Sequence, residues 1–78
     1  MNFTWDPNHY AAVINLAAEV ERISVELRET AIASVDERGM LVGLELLDTR
    51  EFGTPFDEAV AERAVAWARA QLNLGTAS

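Results

Sequence analysis

Three side chains in this sequence could take part in acid–base or metal chemistry, namely those of His9, Glu45 and Asp48. His9 is the only histidine of the chain. A histidine acts as a general base only where a partner orients it within a cleft. The residues just before it, Asp6-Pro7-Asn8, favour a turn, so we expect His9 to be a solvated loop residue. The sequence therefore predicts no catalytic role for it.

Glu45 is a carboxylate in the middle of an apolar segment, between Leu44 and Leu46. Such a side chain must face water at a rim, pair with an arginine or lie in an interface, because an unpaired buried charge is costly. We favour a structural pair or a contact with a partner. Glu45, Asp48 and Glu51 could together hold a divalent cation, but their spacing does not match that of an EF-hand loop. We therefore expect no metal site.

Other common catalytic patterns are missing from the sequence. The chain contains no cysteine, which excludes disulfides, thiolate metal sites and cysteine nucleophiles. It also contains no glycine-rich phosphate loop, no dinucleotide fingerprint and no Ser-His-Asp arrangement. The sequence predicts a protein without a cofactor that is more typical of a binding module than of an enzyme.

The charge of the chain bears on its partners. Thirteen acidic residues against six arginines give a formal net charge of −7. Nucleic acid is excluded as a ligand by this balance, because phosphate binding depends on basic residues that displace counterions. Trp5 and Trp67 could form a stacking platform, but without basic residues core packing is the favoured interpretation. The acidic surface either keeps the protein in solution or contacts a basic protein.

The length of 78 residues corresponds to one small domain, near the size at which stability is marginal. Small domains commonly gain stability from disulfides, a metal or a partner subunit. The N-terminal residues do not resemble a signal peptide, and no apolar run approaches the roughly 20 residues of a membrane span. We expect a cytoplasmic protein that does not contact the membrane.

The segment from Thr30 to Asp48 predicts a β-hairpin, around which the rest of the chain is organised. Two apolar runs, Ala31–Val35 and Met40–Leu47, flank the sequence Asp36-Glu37-Arg38-Gly39. Aspartate opens a turn by accepting bonds from nearby backbone, and glycine supplies the positive φ of a three-residue loop with a bulge.

The remaining strands are predicted at Asn2–Trp5, Tyr10–Leu16 and Arg22–Leu27. The last of these is ambiguous, because residues 17–28 show helical as well as strand spacing. A helix is predicted from Phe56 to Leu72, with Thr54 as N-cap, Pro55 at its first position and Gly75 as its stop. These elements predict one α+β domain over residues 1–74, with an antiparallel meander of four or five strands, one C-terminal helix packed across it and a frayed tail at 75–78.

Both faces of the predicted hairpin are apolar. Pairing Asp36 with Met40 places Ala33 opposite Gly43 and leaves Glu45 as the only charge on either face. Two apolar faces need two covering layers, and the chain has only one helix. We therefore predict a homodimer in which a second copy covers the face with the smaller residues, although the faces taken by helix and partner could be exchanged. The predicted interface residues are Ala31, Ala33, Val35, Leu41, Gly43 and Leu47.

The opening and the hairpin together resemble a family of small uncharacterised prokaryotic proteins, the domain of unknown function 2283 family. The matching motifs, within roughly residues 3–48, are Trp5-Asp6-Pro7, Ala12-Val13-Ile14-Asn15-Leu16, Asp36-Glu37-Arg38-Gly39 and Leu41-Val42-Gly43-Leu44-Glu45. Trp5 stands where the family has tyrosine, and the long C-terminal helix is missing from many members. The resemblance implies a strand core, bacterial origin, no assigned chemistry, and an antitoxin or accessory role beside a small partner.

Two functional hypotheses follow from these observations. The first is a homodimeric, non-enzymatic interaction or accessory module, antitoxin-like in the sense that the resemblance implies, with a basic protein partner. The second is a small enzyme or ligand-binding domain with Glu45, Asp48 and His9 around a pocket at the dimer interface.

Overall fold

The fold is an antiparallel sheet followed by one helix, in a computed structural model that describes residues 1–17 and 20–76. Within these residues the elements are β1 (Asn2–Asp6), β2 (Ala11–Asn15), β3 (Ile23–Arg28), β4 (Ala31–Val35), β5 (Leu41–Leu46), a 3-10 turn at Thr49–Glu51, and α1 (Glu58–Thr76). The five strands lie in the order β1-β2-β5-β4-β3. The predicted α+β class is confirmed, since β3, β4 and β5 follow one another as a meander and the β1–β2 hairpin joins the sheet beside β5. No helix of the described residues is long and apolar enough to cross a membrane.

The segment with ambiguous spacing forms a strand, because β3 begins at Ile23 and runs to Arg28. Its β-branched residues favour extended backbone, which explains the outcome. Residues 18 and 19, at the start of the ambiguous segment, lie outside the described residues.

The turn between β4 and β5 has the predicted chemistry. Asp36 Oδ1 accepts hydrogen bonds from the backbone N–H groups of Arg38 and Met40, each at 2.9 Å. The N–H of Gly39 donates to the carbonyl of Asp36 at 2.9 Å, and Gly39 has a φ of +83°. That backbone conformation suits glycine, which has no Cβ to clash.

The register of the hairpin differs from the predicted one by a residue. Val35 pairs with Leu41 while the next residue back, Ser34, pairs with Gly43, so Val42 is an extra residue in β5. Beyond this bulge Ala33 pairs with Leu44, and the predicted pairing of Ala33 with Gly43 is wrong. A shift of one residue moves side chains to the other face of a sheet, so the residues of β5 beyond the bulge lie on the face opposite to the predicted one, while Ala31, Ala33, Val35 and Leu41 share one face as predicted.

The face that α1 covers, called here the helix face, contains most of the residues that we had assigned to a dimer interface. Ala31, Ala33, Val35 and Leu41 are all buried within the single chain. Three of them, all except Val35, belong to one apolar cluster with residues of α1. The helix thus covers the face with the smaller residues, which is the exchange of helix and partner that the sequence left open, and these four residues are buried by their own chain. Leu47, in contrast, is 45% exposed.

The opposite face of the sheet, called here the open face, is mixed in character. The pairing of the five strands places one residue from each in a row across it: Thr4, Val13, Glu45, Ile32 and Glu26. The next row includes Gly43, where an added Cβ would lie 2.5 Å from Arg22 Nη1. Because the guanidinium of Arg22 occupies the space that the glycine leaves, Gly43 is buried by its own chain. The prediction of two apolar faces is thus wrong.

The helix packs on the sheet through small residues. Ala61, Ala64 and Ala68 of α1 are fully buried, and they belong to the same cluster as Ala31 and Ala33. Small side chains on both surfaces let the helix and the sheet approach closely at the density typical of protein interiors. The buried side of the helix is therefore packed against the sheet.

The helix begins later than predicted. Asp57 Oδ1 accepts a hydrogen bond from the N–H of Val60 at 3.0 Å, and the carbonyl of Asp57 accepts the first helical bond from Ala61. Asp57 is therefore the N-cap, and the prediction of Thr54 in this role is wrong. The helix continues through Gly75 to Thr76, so glycine does not stop it where expected, and residues 77 and 78 of the predicted tail lie outside the described residues.

The capping role of Asp57 can be tested by comparing two alanine variants. We expect Asp57→Ala to lower the free energy of unfolding by about 1 kcal/mol, because it removes the acceptor for an N-terminal N–H of the helix. Thr54→Ala should leave it within about 0.5 kcal/mol of wild type, as for other surface substitutions. Urea unfolding followed by circular dichroism measures both. A larger effect at Thr54 than at Asp57 would contradict the assignment.

The face of the sheet that α1 covers can be tested by placing a glutamate on each face of β4. We expect Ala33→Glu to unfold the chain, since it buries an unpaired charge beneath α1. Ser34→Glu lies on the open face beside Gly43 and should stay folded. Heteronuclear NMR spectra distinguish the two states. Unfolding by Ser34→Glu with a folded Ala33→Glu would instead place α1 on the face of Ser34.

Candidate functional site

His9, the first of the predicted polar residues, lies in the exposed turn between β1 and β2. Its Nδ1 is 2.7 Å from Asp6 Oδ2, and the side chain is 79% exposed. This hydrogen bond is the main reason that the pKa of Asp6 lies below its ordinary value. The pair closes an exposed turn, as expected for a solvated loop residue.

Asp48 has a structural role at the start of the 3-10 turn. Its Oδ1 accepts from the backbone N–H of Arg50 at 3.1 Å and from Arg50 Nε at 2.8 Å. The hydrogen bond from the Arg50 side chain is the main cause of a lowered pKa at Asp48. The guanidinium of Arg50 also lies 4.2 Å from the centre of the Tyr10 ring. Asp48 is thus engaged with its neighbours.

Glu45 is exposed on the open face, where it pairs across the strands with Val13 and Ile32. It has no ion-pair partner in the described part of the chain. Of the choices predicted for it, Glu45 therefore faces water or a partner. The structure places Glu45 on the open face, Asp48 at the 3-10 turn and His9 in the turn between β1 and β2. It does not gather them around one pocket.

The carboxylate of Glu51 is engaged in hydrogen bonds within the chain. It accepts hydrogen bonds from the guanidinium of Arg28 and, at 2.7 Å, from Thr30 Oγ1. The guanidinium of Arg28 also lies 4.2 Å from the centre of the Trp67 ring. Among the residues described, no group of three potential ligands could hold a metal ion.

The two tryptophans pack against the core at separate places, as the favoured interpretation predicted. Trp5 Nε1 donates to the hydroxyl of the buried Thr49 at 3.3 Å. Trp67 meets Phe52 edge to face, with 5.4 Å between ring centres. They do not form one stacking platform.

The feature that sequence reasoning missed is the distribution of unpaired charge around β3. Four glutamates in and around this strand have no ion-pair partner in the described residues: Glu21, Glu26, Glu29 and Glu37. We call β3 together with these four residues the acidic edge. The strand is the last of the sheet on this side, so no neighbouring strand shields it within the part of the chain described.

The basic residues next to the acidic edge are already engaged elsewhere. Arg22 donates to the carbonyl of Ala17 at 2.7 Å, Arg28 binds Glu51, and Arg38 lies 3.3 Å from Asp36 Oδ2. Arg28 and Arg38 are therefore paired with carboxylates, and Arg22 is hydrogen-bonded to a backbone carbonyl. Within the described residues, Arg22 is the one of these three without a carboxylate partner, so the four glutamates outnumber it and leave a net negative field, which is stronger at low ionic strength.

Two cavities border the acidic edge, one on each side of the β4–β5 turn. The first has a volume of about 480 Å³ and is lined by Val20, Glu21, Asp36, Glu37 and Arg38. Three carboxylates against one guanidinium make it acidic. The pKa of Asp36 is lowered, chiefly by the hydrogen bond from the N–H of Met40, so this carboxylate is ionised at neutral pH.

The second cavity is a groove of about 430 Å³ between β3 and the last turns of α1. It is lined by Val25, Glu26, Leu27, Val35, Gly39, Gln71 and Leu72. Most of these side chains are apolar. The sequence contained one signal for it, the alternation of Ile23, Val25 and Leu27, but not the position of the helix end that forms the other wall.

Comparison with known proteins found no match: no family model, curated protein or solved structure is significantly similar to the chain. The resemblance to the domain of unknown function 2283 family stays a prediction that rests on the motifs quoted above.

The hydrogen bonds at Asp36 predict a pH dependence of stability. Because the folded state lowers the pKa of Asp36 from the ordinary 3.8, the carboxylate stabilises the fold above that pH, and this contribution is lost as pH falls through the lower folded value. Asp36→Asn should therefore flatten the loss of stability between about pH 5 and about pH 1. Urea unfolding at a series of pH values measures the slope.

Glu37→Gln is the matched control, because it removes a carboxylate from the same turn that accepts no hydrogen bond in the described structure. Equal flattening by both variants would contradict the role assigned to Asp36.

Proposed function

We propose that this protein is a non-enzymatic interaction module that binds a basic protein through its acidic edge. The observation that carries this proposal is the set of four unpaired glutamates around β3, next to arginines that are each already engaged. The accessory or antitoxin-like role that the family resemblance implies is a particular case of it. A cytoplasmic location is part of the same proposal.

Electrostatics supports such a role in two ways. Complementary charge steers a basic partner towards the acidic edge and raises the association rate. The glutamates are exposed and have no ion-pair partner among the residues described, so a contact with lysine or arginine breaks no ion pair seen there. A partner gains new interactions there without disturbing the fold.

Self-association has less support than a heterologous partner. The homodimer was predicted from two apolar faces, and the structure has one, which α1 covers. Two copies joined by their open faces would bring Glu26 and Glu45 of each near those of the other. Like charges in contact oppose such a dimer.

The proposal is tested by two variants that remove the same amount of charge from different places. Glu21→Gln with Glu26→Gln alters the acidic edge, and Glu58→Gln with Glu62→Gln alters the exposed side of α1. Each protein is immobilised, partners are captured from a lysate of the native host, and the captured protein is identified and purified. Its Kd for each variant is then measured at two salt concentrations.

We expect a basic partner whose Kd is weakened by the first variant by about two-fold to about thirty-fold, since an exposed ion pair is worth about 0.2–1 kcal/mol. The second variant should bind as wild type does, and added salt should weaken binding to wild type. Equal effects of both variants, or a partner that is not basic, would overturn the proposal. So would capture of this chain alone together with a dimer in light scattering.

A further inference from the structure

The two outer strands of the sheet, β1 and β3, differ in how well their side chains on the helix face are covered. On β1, Phe3 meets Phe56 edge to face with 5.6 Å between ring centres, and Trp5 is hydrogen-bonded to Thr49. Both rings are partly buried against the core. On β3, Ile23 is 58% exposed although it shares the helix face with Val25. The apolar surface of the sheet is thus covered at β1 and incompletely covered at β3.

The groove lies between β3 and the end of α1. Val25 points to the helix face and Glu26 points to the open face, as their partners Ala33 and Ile32 show. A cavity lined by both residues, by Val35 of β4 and by Leu72 of α1 lies directly against β3. Its apolar walls and its position are suited to the side chains of a strand laid alongside β3.

The backbone of β3 is open on that side. Its hydrogen-bonded neighbour is β4, and no strand lies beyond it within the described residues. An edge strand presents N–H and C=O groups that can pair with another chain. An extended peptide can add to such an edge, with affinity from the backbone and specificity from alternate side chains.

We infer that the basic partner presents an extended segment that adds to β3 as a further strand. Its apolar side chains enter the groove beside Val25 and Leu72, and its arginine or lysine side chains lie on the open face beside Glu26. The segment is basic at every second residue and apolar between. This inference rests on the proposed function and adds to it the form of the partner.

Charge favours this occupant over a second copy of the chain. Pairing of β3 with β3 of another copy would bring two acidic edges together, in a chain of net charge −7. A segment with alternating basic residues instead brings opposite charges together, and opposite charges across a strand pair stabilise the pairing. The six residues of β3 span about 20 Å, which sets the length of the partner segment.

The experiment compares two labelled peptides of equal composition, each of about eight residues, the length that covers β3 with one residue at each end. In one peptide arginine and valine alternate, and in the other all arginines precede all valines. Fluorescence anisotropy at low salt gives the Kd of each for the full chain. Amide hydrogen exchange by NMR follows β3, with β1 as the internal control for the other sheet edge.

We expect the alternating peptide to bind about ten-fold more tightly, a difference of about 1.4 kcal/mol. Alternate amides of β3 should gain protection from exchange while those of β1 do not change. Val25→Thr, which makes the groove polar at nearly constant shape, should weaken binding. Val13→Thr makes the same change at an exposed residue of the open face and should not. The wild-type exchange pattern decides the question even if Val25→Thr is poorly folded.

Other outcomes separate this inference from the proposed function. Equal binding of both peptides without protection at β3 would overturn strand addition, and the acidic edge would keep its role if Glu21→Gln with Glu26→Gln weakened both. Protection at β1, or pairing of β3 with a second copy before peptide is added, would also overturn it. If neither peptide binds while a basic protein is captured from the lysate, strand addition alone fails.

Discussion

The distribution of side chains over the sheet depends on the single extra residue in β5. Val42 lies between the residues that pair with Ser34 and Val35, and from there the rest of the strand is displaced by one position relative to β4. This displacement directs Ala33 and Leu44 together towards α1. The same displacement places Ile32 and Glu45 together on the open face. A bulge therefore creates one apolar face and one mixed face from two strands that are apolar almost throughout.

The local features of the fold could be predicted from the sequence, and the long-range ones could not. The turn at Asp36 and Gly39 follows from side-chain chemistry within a few residues, so it was predicted correctly. The position of the bulge depends on which residues α1 can bury, which no local pattern records. Thr54 and Asp57 are both good N-caps, and only the packed position of the helix decides between them. The groove was missed because its walls, Leu27 and Leu72, come from distant parts of the chain.

The small size of the chain explains why its one helix is rich in alanine. A helix that covers five strands must lie close to the sheet to exclude water, and the buried alanines of α1 permit this. The helix is packed over the centre of the sheet, while the end that meets β3 leaves a groove. Coverage by one helix thus suffices for the middle of the sheet and falls short at one edge.

The edge of the sheet that α1 covers incompletely, at β3, is also the edge that carries the unpaired glutamates. An exposed edge strand invites unwanted pairing between copies, and proteins commonly prevent it with charged residues. The glutamates in and beside β3 have this effect against other copies of the same acidic chain. The protection is selective, however, because a negative edge repels only acidic neighbours and attracts basic ones. Within the described residues, β3 is the outer strand that is apolar on the helix face and acidic on the open face, so its charge favours a basic segment over a second copy of the chain.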